Sequence, residues 1–153
     1  MKKNILNIVF SFGAVILVAV LGSIFVSLGS DWFNSLIKPS QWIPNFIIPI
    51  VWTIIYTISA FVLYNWLNKG SLPKSVRNLF ILNGILNVLW CLLFFTLNLT
   101  LIGQIAIILN LIFGVYLLIE IKKYEPIYFY WLFIYPCWLS IATSLNLAMW
   151  ILN

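Results

Sequence analysis

The chain has 153 residues, 64% of them apolar and only 7% charged, with a net charge of +5 and a mean hydropathy of +1.12. Soluble domains are about 45–50% apolar and about 25% charged, so the composition excludes a water-soluble globule and points to a single polytopic membrane domain over residues 1–153. Once five spans of about 20 residues are counted, no length is left for a separate soluble domain.

Unbroken apolar stretches predict five transmembrane helices at residues 5–28, 45–67, 76–97, 101–121 and 127–151. The fold class is therefore an all-α membrane protein, a five-helix bundle with a long loop between helices one and two. The first stretch follows Lys2 and Lys3 and is longer than the roughly 7–15 residues of a signal-peptide core, so it reads as an uncleaved helix. The separators are GSDWFNSLIKPSQ, NKGSLPKS, NLT and KKYEP, all rich in residues that end helices. The last two are so short that the helices they join must be antiparallel neighbours.

Seven of the eight basic residues (Lys2, Lys3, Lys69, Lys74, Arg77, Lys122 and Lys123) fall on one side of this topology, and Lys38 alone falls on the other. The positive-inside rule then predicts a cytoplasmic N-terminus, with the first loop and the C-terminus outside. The positive charge reflects topology and attraction to anionic headgroups, and gives no reason to invoke nucleic acid.

The spans hold no ionisable residue near their centres. The nearest is Glu120, at the end of helix four, and the chain has no histidine. Such groups mark proton relays and ion pathways, so a proton-coupled pump is disfavoured, as is a retinal protein. The usual axial haem ligand is missing. Cys91 and Cys137 are isolated, and read as small core residues with no metal site or disulfide.

Aromatic and amide stripes take their place. Trp52, Tyr56 and Ala60 share one face of helix two; Asn83, Asn87, Trp90 and Phe94 one face of helix three; Tyr135, Trp138, Ala142 and Asn146 one face of helix five. An indole deep in a span must place its N–H on an acceptor, because an unsatisfied donor in hydrocarbon costs several kcal/mol. Interhelical hydrogen bonding is the plain explanation for any one of them. Three such faces together also suit a flat apolar ligand with a few polar atoms. In helix four, Gly103, Ala106, Asn110 and Gly114 form a small-residue packing stripe whose partner is either in the same chain or in a second copy.

Taken together, DWFNSLIKPS, Pro44-Asn45, PIVWTIIY, LNVLWCLLFF and W-x-x-x-A-T-x-L-N before a closing MWILN resemble the TspO/MBR family, the tryptophan-rich sensory or translocator proteins, also called peripheral benzodiazepine receptors. The resemblance spans nearly the whole chain. It implies an integral protein of a bacterial cell membrane that binds tetrapyrroles such as protoporphyrin and haem, sterols and aromatic drugs, in a pocket covered by the first loop. Porphyrin or haem enters as ligand and no cofactor is required; a homodimer is also implied.

Matched position by position, Trp52 and Trp138 are the implied donors to a ligand carbonyl or carboxylate, and Tyr56, Asn87, Trp90 and Ala142 the other lining positions. Trp32, Pro39, Trp42 and Pro44 belong to the lid, with Trp32, Phe33 and Trp42 turned toward the interface. Some bacterial members are reported to promote light-dependent porphyrin breakdown, for which Trp52 and Trp138 would be the photochemical, and in that sense catalytic, pair. Two other functions stay open: transport of porphyrin or sterol, which a chain without an inverted repeat supports poorly, and a structural or interaction role in which the stripes are only core.

The chain departs from the family pattern in four places. KPSQWIP stands where K-P-S-W/F-x-P-P is common. Ala106 stands where helix four usually has an acid. YPCW replaces P-Y-x-x-W, moving a kink to Pro136. The last residues lack the L/V-x-Y-x-K/R sterol pattern, which makes porphyrin the preferred ligand class.

Overall fold

The computed structural model describes residues 2–40 and 43–153. Seven α-helices and one π-helical turn follow in order: α1 (Lys2–Leu28), α2 (Ser30–Ser35), α3 (Ile47–Lys69), α4 (Lys74–Cys91) running into the π turn Leu92–Thr96, α5 (Thr100–Tyr124), α6 (Pro126–Leu132) and α7 (Ile134–Leu152). Among the described residues five segments are long and apolar enough to cross a membrane: Asn4–Leu28, Ile47–Lys69, Lys74–Thr96, Thr100–Tyr124 and Pro126–Leu152. Each lies within a few residues of its sequence-derived span.

Local chemistry sets the boundaries. Gly70 ends α3 in the left-handed conformation (φ 65°), which costs glycine nothing. Asn98 reverses the chain between the π turn and α5 at φ 57°, a region asparagine tolerates better than most residues. Pro126 opens α6 at a position where its missing N–H is not needed. Pro136 cannot donate to the carbonyl of Leu132. The fifth span accordingly breaks at Phe133 into α6 and α7, where the sequence reading had one helix kinked at Pro136.

The spans close into a ring in the order one, two, five, four, three. α1 packs on α3 and α4, α4 on α5, and α5 on α6 and α7, while α6 and α7 return more lightly to α3. Two apolar cores fill the ring. One lies around Val62, Trp66, Leu117, Ile121 and Leu132, near the basic residues. The other lies around Trp90, Phe94, Ile107, Trp138 and Leu139, below the α1–α3 connection. At the basic end, Lys69 pairs with Glu125 at 2.6 Å, and Asn7 Nδ2 donates to Asn68 Oδ1 at 2.8 Å.

The helix-four stripe is consumed within the chain. Gly103, Ala106, Asn110 and Gly114 are all buried. A Cβ on Gly103 would stand 2.8 Å from the Cβ of Phe94, and one on Gly114 would meet Leu139, Tyr135 and Asn83. The partner left open by the sequence is thus α4 on one side and α7 on the other. Cys91 is buried, but Cys137 is exposed on the outer surface of α7 instead of in the core; both are free thiols.

Candidate functional site

Three stripes and one loop segment converge at the end of the bundle that carries the α1–α3 connection. Trp52 of α3 stacks on Tyr56, with centroids 5.4 Å apart, and approaches Trp90 at 6.5 Å and Tyr135 at 6.4 Å. A cavity of about 60 Å³ lies among Ile48 and Trp52 of α3, Trp90, Phe94 and Phe95 at the end of α4, Trp138, Ala142 and Asn146 of α7, and Phe33 of α2. The π turn helps to build this wall. Its wider winding puts both Phe94 and Phe95 inside, the first 2% and the second 8% exposed. Thr96 Oγ1 ties the turn back to α1 by donating to the carbonyl of Phe25 at 2.8 Å.

Four of the expected lining residues, Trp52, Trp90, Trp138 and Ala142, border this cavity. Tyr56 and Asn87 do not. They sit about one turn further from the connection and meet each other through a long 3.4 Å contact from Tyr56 Oη to Asn87 Oδ1. Of the aromatic rings lining the cavity, Trp52, Trp90, Phe94 and Trp138 are ones the stripes predicted and Phe33 and Phe95 are not; the polar atoms around them divide into two groups.

Trp90 Nε1 donates to Asn146 Oδ1 at 3.0 Å, and Asn146 Nδ2 donates to Gln104 Oε1 at 2.9 Å. An indole nitrogen can only donate, so the direction of this chain of bonds is fixed from α4 through α7 to α5. Beside it, Tyr135 Oη lies 3.2 Å from Asn83 Oδ1 and 3.0 Å from Asn110 Oδ1, while Asn83 Nδ2 is spent on the Leu79 carbonyl. The Trp138 indole is different. It is 6% exposed, and its Nε1–H has no acceptor; Asn110 Nδ2 and Thr143 Oγ1 are likewise buried without a partner among the described residues, but neither residue borders the cavity.

The connection is more ordered than a sequence-derived loop over residues 29–44 implies. Ser30–Ser35 forms a short helix, and its aromatics turn inward instead of toward the interface. Trp32 meets Phe94 edge-on at 5.6 Å, and Phe33 meets Phe95 at 5.1 Å. Leu36 and Ile43 also pack on the upper core. Pro39 is buried and Pro44 exposed; Trp42 lies outside the described residues. Lys38 Nζ stands 5.0 Å over the Phe33 ring. The backbone of Ile37 exchanges two hydrogen bonds with the Asn153 amide: Ile37 N to Oδ1 at 2.9 Å, and Nδ2 to Ile37 O at 3.1 Å.

A larger hollow of about 460 Å³ opens on the surface at the basic end, between Ile119, Lys122, Lys123 and Phe129. None of the stripe residues reaches it, and Lys123 is already paired with Glu120. It lacks the convergent polar groups of a binding site.

The ring of five spans, the tryptophans at its loop end and their spacing match one known pattern, and a profile of the TspO/MBR family covers residues 11–151. The chain belongs to the TspO/MBR family. It is 31% identical to the tryptophan-rich protein TspO of Chlorobaculum tepidum, over all of this chain and 99% of that one. It is 32% identical to the tryptophan-rich protein TspO of Archaeoglobus fulgidus, over 98% of this chain and 99% of that one. Five membrane-crossing helices and the TspO/MBR assignment make it an integral membrane protein.

Sequence reasoning missed Gln104 as part of the site, because a single glutamine on a helix assigned to packing carries no stripe of its own. The signal was available: Gln104 lies next to Gly103 in that stripe, and a buried amide in a membrane span must have a partner.

Proposed function

We propose that the protein is a membrane receptor for tetrapyrroles, with protoporphyrin preferred to haem, and that the α1–α3 connection is its lid and faces outward. The observation that carries this reading is the Trp138 indole. An N–H with no acceptor, buried in a span on a residue that borders the cavity, is an unmet cost that a ligand can relieve. A ligand carbonyl or carboxylate at the cavity would satisfy it. Trp52, Trp90, Phe94 and Phe95 offer the flat apolar surfaces that a macrocycle stacks on. Haem is the weaker fit, because the chain has no histidine to ligate its iron.

The cavity of about 60 Å³ is well below the roughly 300–1,000 Å³ of ligand pockets. On this reading, binding requires α2 and the segment after it to lift Phe33 away from the cavity. Titration of the protein in lipid nanodiscs with protoporphyrin IX, followed by tryptophan fluorescence, tests the proposal. Saturable quenching at micromolar ligand, weakened in Trp138→Phe, is the expected result. Lack of quenching would reduce the stripes to core packing.

A further inference from the structure

Two buried indoles face the upper cavity, and the structure treats them in opposite ways. Trp90 Nε1–H is bonded to Asn146, whose own N–H is bonded to Gln104; Trp138 Nε1–H is bonded to nothing. Asn146 and Gln104 are each 4% exposed, so water does not compete for these bonds. If Gln104 were apolar, the Asn146 nitrogen would lose its acceptor, and the amide could find another only by rotating and giving up the bond from Trp90. With Gln104 Oε1 fixed on α5, only the orientation that accepts from Trp90 satisfies both ends of the amide.

We propose that Gln104 and Asn146 are positioning residues that set ligand orientation and specificity, an inference resting on the tetrapyrrole reading above. By holding the Trp90 N–H, they make Trp90 a purely apolar stacking surface on the α4 side and leave the indole donors on the α7 and α3 sides, at Trp138 and Trp52. A flat ligand is then accepted in one orientation, with its carbonyl or carboxylate edge toward Trp138 and Trp52 and an edge without acceptors toward the Asn146–Trp90 bond. A ligand with acceptors on both edges leaves one of them without a donor, and is discriminated against for that reason.

The test is the indole N–H region of the ¹⁵N NMR spectrum in nanodiscs, with the Trp90 and Trp138 resonances assigned by single Trp→Phe substitution. In the unliganded protein Trp90 is expected downfield and protected from hydrogen exchange, and Trp138 upfield. Protoporphyrin IX should move Trp138 downfield and leave the Trp90 N–H bonded and in place. Asn146→Leu should move Trp90 upfield before any ligand is added. Asn146→Asp should restore it, because a neutral carboxylic acid offers the same carbonyl to Trp90 and a hydroxyl to Gln104. A purely structural role for Asn146 predicts no such rescue of one resonance.

Should Asn146→Leu not fold, Gln104→Leu decides: a Trp90 resonance that keeps its position and protection there overturns the proposal. So does loss of the wild-type Trp90 hydrogen bond on ligand binding. Absent fluorescence quenching with Trp90 still displaced in Asn146→Leu would defeat the tetrapyrrole reading and leave the amide clamp standing. Absent quenching with Trp90 unmoved would defeat both.

Discussion

Replacing Asn153 with alanine should make the pocket easier to open. The Asn153 amide is fastened to the Ile37 backbone by bonds of 2.9 and 3.1 Å, and Nδ2 also reaches the Met149 carbonyl at 2.9 Å, which anchors it to α7. The bonds to Ile37 are exposed, so together they contribute about 1 kcal/mol, the lower end of the usual range for two hydrogen bonds. To grow from about 60 Å³ to the roughly 300 Å³ or more of a ligand pocket, the segment that carries Phe33 and Ile37 must move, which breaks them. Asn153→Ala should therefore shift the closed–open equilibrium roughly fivefold toward open, with the apparent Kd for protoporphyrin IX falling by the same factor through faster association. Stopped-flow quenching of tryptophan fluorescence measures both quantities. An association rate equal to wild type, or a gain confined to slower dissociation, would show that the amide pair does not hold the lid.

Three other outcomes are expected. Gly29→Ala should destabilise the fold by about 3 kcal/mol, because a Cβ there would fall 1.9 Å from the Phe95 carbonyl oxygen; an unchanged thermal midpoint would mean that α1 and the π turn separate at little cost. For topology, a membrane-impermeant thiol reagent applied from outside should label Ser35→Cys and miss Ser71→Cys in a Cys137→Ser background, and the reverse pattern would invert the orientation. If bound porphyrin is degraded, the reaction should need light and oxygen. The Trp52→Phe, Trp138→Phe double variant should then bind with a loss of about 1 kcal/mol per hydrogen bond removed and lose most of its photodegradation; Soret decay at the wild-type rate in that variant, or decay of the wild type in darkness, would remove these indoles from the chemistry.

The spans were legible because hydrocarbon imposes a length and a composition that short separators cannot blur. The residues facing the cavity from α3, α4 and α7 were legible for a related reason: helical spacing carries Trp52, Trp90, Trp138 and Ala142 to one side whatever the details of packing. What those residues do with their polar atoms was not. Whether the Trp90 N–H is free depends on Asn146, 56 residues away in sequence, and on Gln104 beyond it. The connection was misjudged because GSDWFNSLIKPSQ was read whole as a separator rich in residues that end helices, Pro39 and Pro44 among the lid residues near its end. The prolines forbid helix only around themselves, leaving SDWFNS free to form α2 and turn Trp32 and Phe33 inward.

The hydrogen bonds separate the part of the aromatic stripes that ties helices together from the part proposed to meet a ligand. In lipid, helices gain little from apolar contact alone, since the tails are as apolar as the side chains. Association rests on close packing, as at Gly103 and Gly114, and on polar bonds worth about 0.6 kcal/mol each, rarely near 2. The Trp90–Asn146–Gln104 chain and the Tyr135 contacts to Asn83 and Asn110 supply such bonds across α4, α5 and α7. Trp138 Nε1 stands outside this set, as does Asn110 Nδ2, and of the two only Trp138 borders the cavity. The isolation of the Trp138 nitrogen at the cavity, beside the lightly packed seam between spans two and five and beneath a segment fastened through Asn153, is what supports the recognition role proposed above.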